Sequence, residues 1–419
     1  MIPHPSGSFL RRTAATVAAS ALAACAALGP SGVVVTGTGD PAKDVAAVQA
    51  AVDAGGRVTL AGTFDFGDRG RVTLERDVEV AGAPGATIRG GFFTFFAPVP
   101  ATPDAPGTAA PRIVIRDLAF TGALWAPINV GHASALVVRN TRIASLRAHP
   151  LPMPGIPDGQ AVAGILLGSA WAQPVGPGRR PMPESFGGPV TIADNVIDVR
   201  TDRPASTLGY GIYAQWTGGM EAVVSGNAVT GATRTAFEAI DNWRGPDGRG
   251  RITVRDNRLE TADAGLPFPG KQTPNGVLVG YFSDRKAATD PARAVPIELA
   301  GNRIETHGAT SMGIAVLADG VRVTDNTVTG DGEQSVGLMV AGSGAEVVHN
   351  TLRGRGAVGL VVNPSDPLAA SRNRLVDNDL DGFVGARGQL VLTKGAADNV
   401  CSGRAPGKVV DDGERNRCR

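Results

Sequence analysis

Valine, isoleucine and leucine recur in short alternating runs separated by glycine, asparagine and aspartate, a pattern that predicts many short strands joined by turns. Six stretches share one form: VTIADNVIDVRT (190–201), AVVSGNAVTGAT (222–233), ITVRDNRLETAD (252–263), IELAGNRIETHG (297–308), VRVTDNTVTGDG (321–332) and AEVVHNTLRGRG (345–356). Each reads apolar, two residues, Asn, one residue, apolar. The asparagines fall at Asn195, Asn227, Asn257, Asn302, Asn326, Asn350 and Asn378, and the two closest intervals are both 24 residues. Longer intervals read as the same unit with an inserted loop. Between these stretches lies a second kind of strand that opens with a small residue and an aliphatic one: Gly164-Ile165, Gly211-Ile212, Gly276-Val277, Gly313-Ile314, Gly337-Leu338 and Gly359-Leu360.

Two or three short strands per repeat with no crossover helix cannot build a doubly wound sheet, but they can coil, each strand pairing in parallel with its equivalent about 4.8 Å along an axis. The expected fold class is therefore all-β. The repeat resembles the right-handed parallel β-helix of pectate lyases, polygalacturonases and many exported bacterial proteins, over residues 40 to 400 or so. In such a coil an amide at one turn of every rung bonds to its neighbours above and below, so the asparagines are expected to be structural. Leu118 and Thr141 stand at that position without an amide, so the ladder should begin after them. Asp40-Pro41 reads as an N-cap and first helical residue, Val45, Val48 and Val52 share one helical face, and Gly55-Gly56 stops the helix. A capping helix over 41–54 is predicted, and KDVAAVQAAVDAGGRVTLAGTFDF resembles the entry segment of pectate-lyase-like proteins.

The N-terminus reads as an address. Arg11-Arg12 precede twelve uncharged, mostly small residues, too few to span a bilayer. Leu22-Ala23-Ala24-Cys25 resembles the lipobox of bacterial lipoproteins, which implies cleavage before Cys25 and a lipid on its thiol. Only Cys401 and Cys418 then remain to pair, as an oxidising compartment favours. The expected organisation is a signal peptide over 1–24, a tether over 25–39, the β-helix over 40–395 and a disulfide-closed cap over 396–419. The expected location is the cell envelope, in the periplasm or at the surface, with the membrane reached through the lipid alone. Forty basic against 39 acidic side chains make no polycationic face, so nucleic acid is not expected as a partner. Five scattered histidines offer no zinc spacing, and no metal site is expected.

Ligands of such a fold bind on an outer face walled by loops. The longest insertions, 147–161, 171–189, 262–274 and 283–294, all fall in the middle coils. Alignment on the small residue turns Tyr213, Glu238 and Leu278 outward and stacks Trp216, Asp241 and Tyr281 further along. With Trp243 and Arg285 nearby, Tyr213, Trp216, Glu238 and Asp241 form a candidate sugar-binding set of ring faces, carboxylates and a cation. The Asn-Thr-Asp, Asp-Asp and Gly-His-Gly signatures of polygalacturonases are missing. A lyase acting on an acidic polysaccharide needs a base and a cation beside the uronate carboxylate. Lys271, Tyr281 and Arg244 are candidates for the catalytic base. Calcium would need several carboxylates together, and only Glu238, Asp241 and Asp284 are on offer, so no cofactor is expected. A non-catalytic surface or scaffold protein is the alternative. Ala315, Leu317, Met339, Ala341 and Val361 form an outward apolar stripe, expected to be covered by Asn363–Ala369 and the tail or else by a protein partner.

Overall fold

The computed structural model describes residues 32–99, 110–151, 158–168, 186–201, 206–263, 273–282, 285–404 and 407–418. Its strands fall into a 14-stranded and a 22-stranded sheet, and almost every pairing is parallel. Each coil gives one strand to the smaller sheet and two rows to the larger, as in Ile297–Ala300, Arg303–Thr306 and Met312–Leu317. The next coil repeats this with Arg322–Thr324, Thr327–Gly330 and Val336–Val340, so Leu299 pairs with Val323, Ile304 with Val328 and Ile314 with Leu338. This is the parallel β-helix, with the right hand that parallel crossovers take. In the later coils the two rows fuse into single strands, Thr351–Val362 and Asp379–Leu392.

Inward positions stack into aliphatic columns. Ile212, Phe237, Val277, Ile314 and Leu338 are in register and buried. The glycine before each aliphatic residue is a steric necessity. A Cβ on Gly313 would meet the Val328 Cγ1 at 2.2 Å and the Gly337 carbonyl oxygen at 2.3 Å, and Gly211, Gly276 and Gly337 are similarly crowded. A core side chain and a backbone carbonyl of the next coil close against that position, leaving no room for a larger residue.

The asparagine ladder also has a local cause. Asp194, Asp256, Asp325, His349 and Asp377, each just before a ladder asparagine, have φ between 50° and 57°. That left-handed residue turns the corner, favouring Gly, Asp and Asn, and the following side chain is directed along the axis. Asn302 donates through Nδ2 to the Val254 carbonyl at 2.9 Å and to Asn326 Oδ1 at 2.9 Å, while Asn326 Oδ1 also accepts from the Asn302 backbone N–H at 3.0 Å. The same bonds run from Asn195 to Asn378, and Asn195 Oδ1 accepts from the Thr141 backbone and hydroxyl. A second ladder, absent from the sequence analysis, runs through Asn373, Asn399 and Asn416 after left-handed Arg372, Asp398 and Arg415.

The helix spans Pro41–Ala54, with the Asp40 side chain accepting from the Ala42 and Lys43 amides. It buries Val48 and Val52 against the first coil. Both ends of the coil extend beyond the expected boundaries. Val33–Thr36, inside the expected tether, pairs with Val58–Ala61 and begins the smaller sheet. The segment expected as a cap instead supplies the strands Val400–Ser402, Val409–Asp411 and Arg417–Cys418. Cys401 and Cys418 are register partners on neighbouring strands, and their disulfide joins the last two rungs.

Candidate functional site on the middle coils

Opposite the core, cross-strand partners form one outward row: Phe96, Asn129, Leu166, Tyr213, Glu238, Leu278, Ala315, Met339 and Val361. The row is aliphatic from Leu278 onward. Val361 packs with Val358, Val391 and Met339 in an apolar cluster separate from the main core, and Ala315, Leu317 and Ala341 are buried. Part of the expected cover is present: Val410 of the tail, on the strand Val409–Asp411, packs against this cluster beside the coil's own strands. Of the five stripe residues only Met339 is partly exposed, so little apolar surface is left on them for a protein partner.

The polar stretch of the row carries the candidate site. Tyr210 and Tyr213 stack with ring centroids 4.7 Å apart on the strand Thr207–Gln215. Glu238, one coil on, accepts from Thr235 Oγ1 at 2.6 Å. Arg234 immediately precedes the strand of Glu238, Thr235–Ile240, donates to the Thr273 carbonyl at 3.0 Å, and interacts electrostatically with Glu238, Tyr210 and Tyr213. The Tyr213 hydroxyl donates to Gln215 Oε1, and Gln215 Nε2 donates to Asp241 Oδ2 at 3.2 Å. Asp241 Oδ1 accepts from the Phe282 N–H at 2.8 Å. One network therefore joins three coils, with a cation, a carboxyl and two phenols at its outer edge.

Burial sets the protonation of these groups. It pushes the Glu238 carboxyl above its ordinary 4.5, opposed in part by Arg234 and the Thr235 hydroxyl and reinforced by Asp241. It also pushes the Tyr210 hydroxyl up, with Glu238 adding to the effect. Burial works against the Arg234 charge too, but Glu238 and the tyrosines more than offset it. The site thus holds a fixed cation beside a carboxyl that changes charge closer to neutrality than an exposed glutamate would.

The residues anticipated from sequence are placed unevenly. Tyr213, Glu238 and Asp241 come together as expected, although all three are buried and not exposed along an open groove. Trp216 and Trp243 are also buried, at 7% and 6% exposure, and Trp243 meets Tyr281 edge-on at 6.3 Å. They pack the corner and offer no open ring face. Tyr281 spends its hydroxyl on structure: it donates to the Asn242 carbonyl at 2.7 Å and accepts from the Val295 N–H at 3.0 Å. Burial raises its pKa to about 12, which opposes the role of base. Arg244 donates to the Ala294 and Gly248 carbonyls at 2.9 and 3.0 Å, tying two turns together. Lys271, Cys25, Asp284 and the side chain of Arg285 lie outside the described residues, as does most of the loop 171–189. Among the described residues no three His, Cys, Asp or Glu side chains gather as a metal ion would need.

Arg234, Tyr210, Gln215, Thr235 and Phe282 were missed. Aligning the strands on Gly211 left Tyr210 one place outside the frame, and Gly231-Ala232-Thr233-Arg234 reads as a plain turn. Phe282 is 54% exposed beside the Asp241 network, where the sequence points to its neighbour Tyr281.

No family model matches the chain, and no curated protein does. Among solved structures the chain is similar to an alginate lyase from Paenibacillus sp. str. FPU-7, at 12% identity and a TM-score of 0.30, over 92% of this chain and 97% of that one. A likeness at that level bears on neither activity nor substrate.

Proposed function

We propose that this protein acts on an acidic polysaccharide by lyase-type β-elimination at the Arg234–Glu238 cluster. One observation carries the reading: a guanidinium, a carboxyl and two stacked phenols share the outward face of the middle coils. Arg234 neutralises the uronate carboxylate, which acidifies the neighbouring C5 proton. Glu238, ionised, takes that proton. The electron pair left on C5 forms the C4–C5 double bond as the C4–O4 bond breaks, and the Tyr213 hydroxyl protonates the departing oxygen. The Gln215–Asp241 relay holds the Tyr213 hydroxyl in place, and the exposed Phe282 ring offers a face for a sugar.

A turnover screen of the mature protein on pectate, alginate and chondroitin tests this, following ultraviolet absorbance of unsaturated product together with new reducing ends. Both signals should rise, and Glu238→Gln should cut the rate on the order of 100-fold or more. Because the Glu238 pKa is raised and the base form is the ionised one, the rate should climb with pH through a value above 4.5. Reducing ends without absorbance would mean hydrolysis. Neither signal would favour the second reading, a non-catalytic surface or scaffold protein, which the burial of Tyr213, Glu238 and Asp241 supports. Export and a lipid anchor on Cys25 belong to the same proposal, supported by the lipobox-like sequence and by the Cys401–Cys418 disulfide.

A further inference from the structure

The same outward row continues toward the N-terminal end, where its chemistry changes. Asn129, the register partner of Leu166 and Phe96, is 1% exposed, and neither its Nδ2 nor its Oδ1 has a hydrogen-bond partner. A buried amide with neither atom bonded is costly unless something else meets it. Over its register partner Phe96 lies the Arg71 guanidinium, 4.7 Å from that ring, 5.1 Å from the Phe92 ring and 5.5 Å from the Phe93 ring. Its hydrogen bond is to the Phe92 carbonyl, and it forms no ion pair with a carboxylate among the described residues. Arg71 also lines an open cleft beside the capping helix.

The aromatic residues are held at a backbone cost. Phe93 and Trp125 have φ of 48° and 70°, and they occupy equivalent corners of successive coils, as the Phe92–Leu124 bridge shows. Large side chains rarely adopt that conformation, and strain of this kind gathers where a side chain is aimed for a purpose. The result is an aromatic cluster in which Trp125 is buried, the His149 ring stacks on it at 4.8 Å and meets Phe92 at 5.3 Å, and Phe92 and His149 are the half-exposed rings.

We infer that this region is a remote glycan subsite: Arg71 and Asn129 take the carboxylate and a hydroxyl of an acidic sugar, and the Phe92 and His149 rings, backed by Trp125, stack a ring. The inference rests on the proposed polysaccharide function and extends it. Asn129 lies three strand spacings from Glu238, about 14 Å along the axis. A polymer lying along the row would reach both, so long chains should bind better than short ones.

Calorimetric titration of the mature protein with galacturonate and alginate oligomers, disaccharides against octasaccharides, tests it. Octasaccharides of the preferred polymer should bind at least about tenfold more tightly. Arg71→Gln and Asn129→Leu should each erase that advantage while disaccharide affinity stays the same. Asn129→Leu should also leave Tm unchanged or raised, since it removes two unpartnered polar atoms, so weaker binding there cannot be put down to unfolding. Affinity that is independent of length, or unmoved by both variants, would overturn the subsite and leave the Glu238 chemistry standing. A length advantage sensitive to Arg71→Gln in a protein without turnover would keep the subsite and remove the lyase. Failure of the unaltered protein to bind any of these oligomers would overturn both.

Discussion

Asn326 shows how one side chain holds this molecule together. Its amide is buried, donates to Leu299 and Thr324 carbonyls and to Asn350 Oδ1, and accepts from two groups of Asn302. Alanine would leave several of those backbone groups without a partner in the interior. Asn326→Ala should lower unfolding stability by roughly 1–3 kcal/mol in a denaturant titration, with turnover per folded molecule unchanged. A loss of turnover without loss of stability would contradict the structural role. The sequence spacing identified this ladder because a fixed turn repeated every coil places the same residue type at the same register. Arg234 repeats nowhere, so spacing could not single it out, and only the folded neighbours reveal the carboxyl and phenols around it.

The capping helix depends on a buried acid that its apolar face does not disclose. Asp44, 1% exposed, accepts from the Thr38 amide and hydroxyl and from the Gly39 and Asp65 amides. It ties the first strand, the helix and the first coil to one carboxylate. Burial raises its pKa, but the four hydrogen bonds outweigh that and hold it below 3.8. A depressed acid stabilises the fold above its unfolded pKa, and the contribution is lost as pH falls through the lower folded value. Hydrogen exchange over 33–54 should therefore accelerate selectively below about pH 4, and Asp44→Asn should reproduce the effect at pH 7. Equal acceleration along the whole solenoid would argue against a local role. The helix bounds, its Asp40 cap and its glycine stop were all legible. Asp44 was not, since in sequence it looks like an ordinary acidic residue of a first turn.

At the scale of the whole molecule the coil is a stack of neighbours, each rung stabilised by the one before and the one after. The two ends are closed by different means, the helix at one and the Cys401–Cys418 staple at the other. The proposed anchor lies upstream of both. Cys25→Ser should move the protein from the membrane to the soluble fraction on fractionation of expressing cells, and unchanged partition would remove the lipid from the proposal. The coil itself should be unaffected, since its first strand among the described residues begins at Val33.

The sequence by itself determined what recurs along the chain, the strand pattern, the main ladder of turn asparagines and the glycine before each aliphatic residue, together with the capped helix. The helix and its caps follow from residues close along the chain, and the rest show because every coil returns the same residue type to the same place. Tertiary structure decided what does not repeat. Glu238 meets Tyr213 across a coil and Arg234 from a turn, Asn129 is left unpartnered beside Phe96, and the apolar stripe is closed over by its own strands and by Val410 of the tail. The physical reason is that burial and electrostatics depend on neighbours one coil away, separated by inserted loops of unequal length. A pattern read along the chain gives their rows but not which of them end up buried.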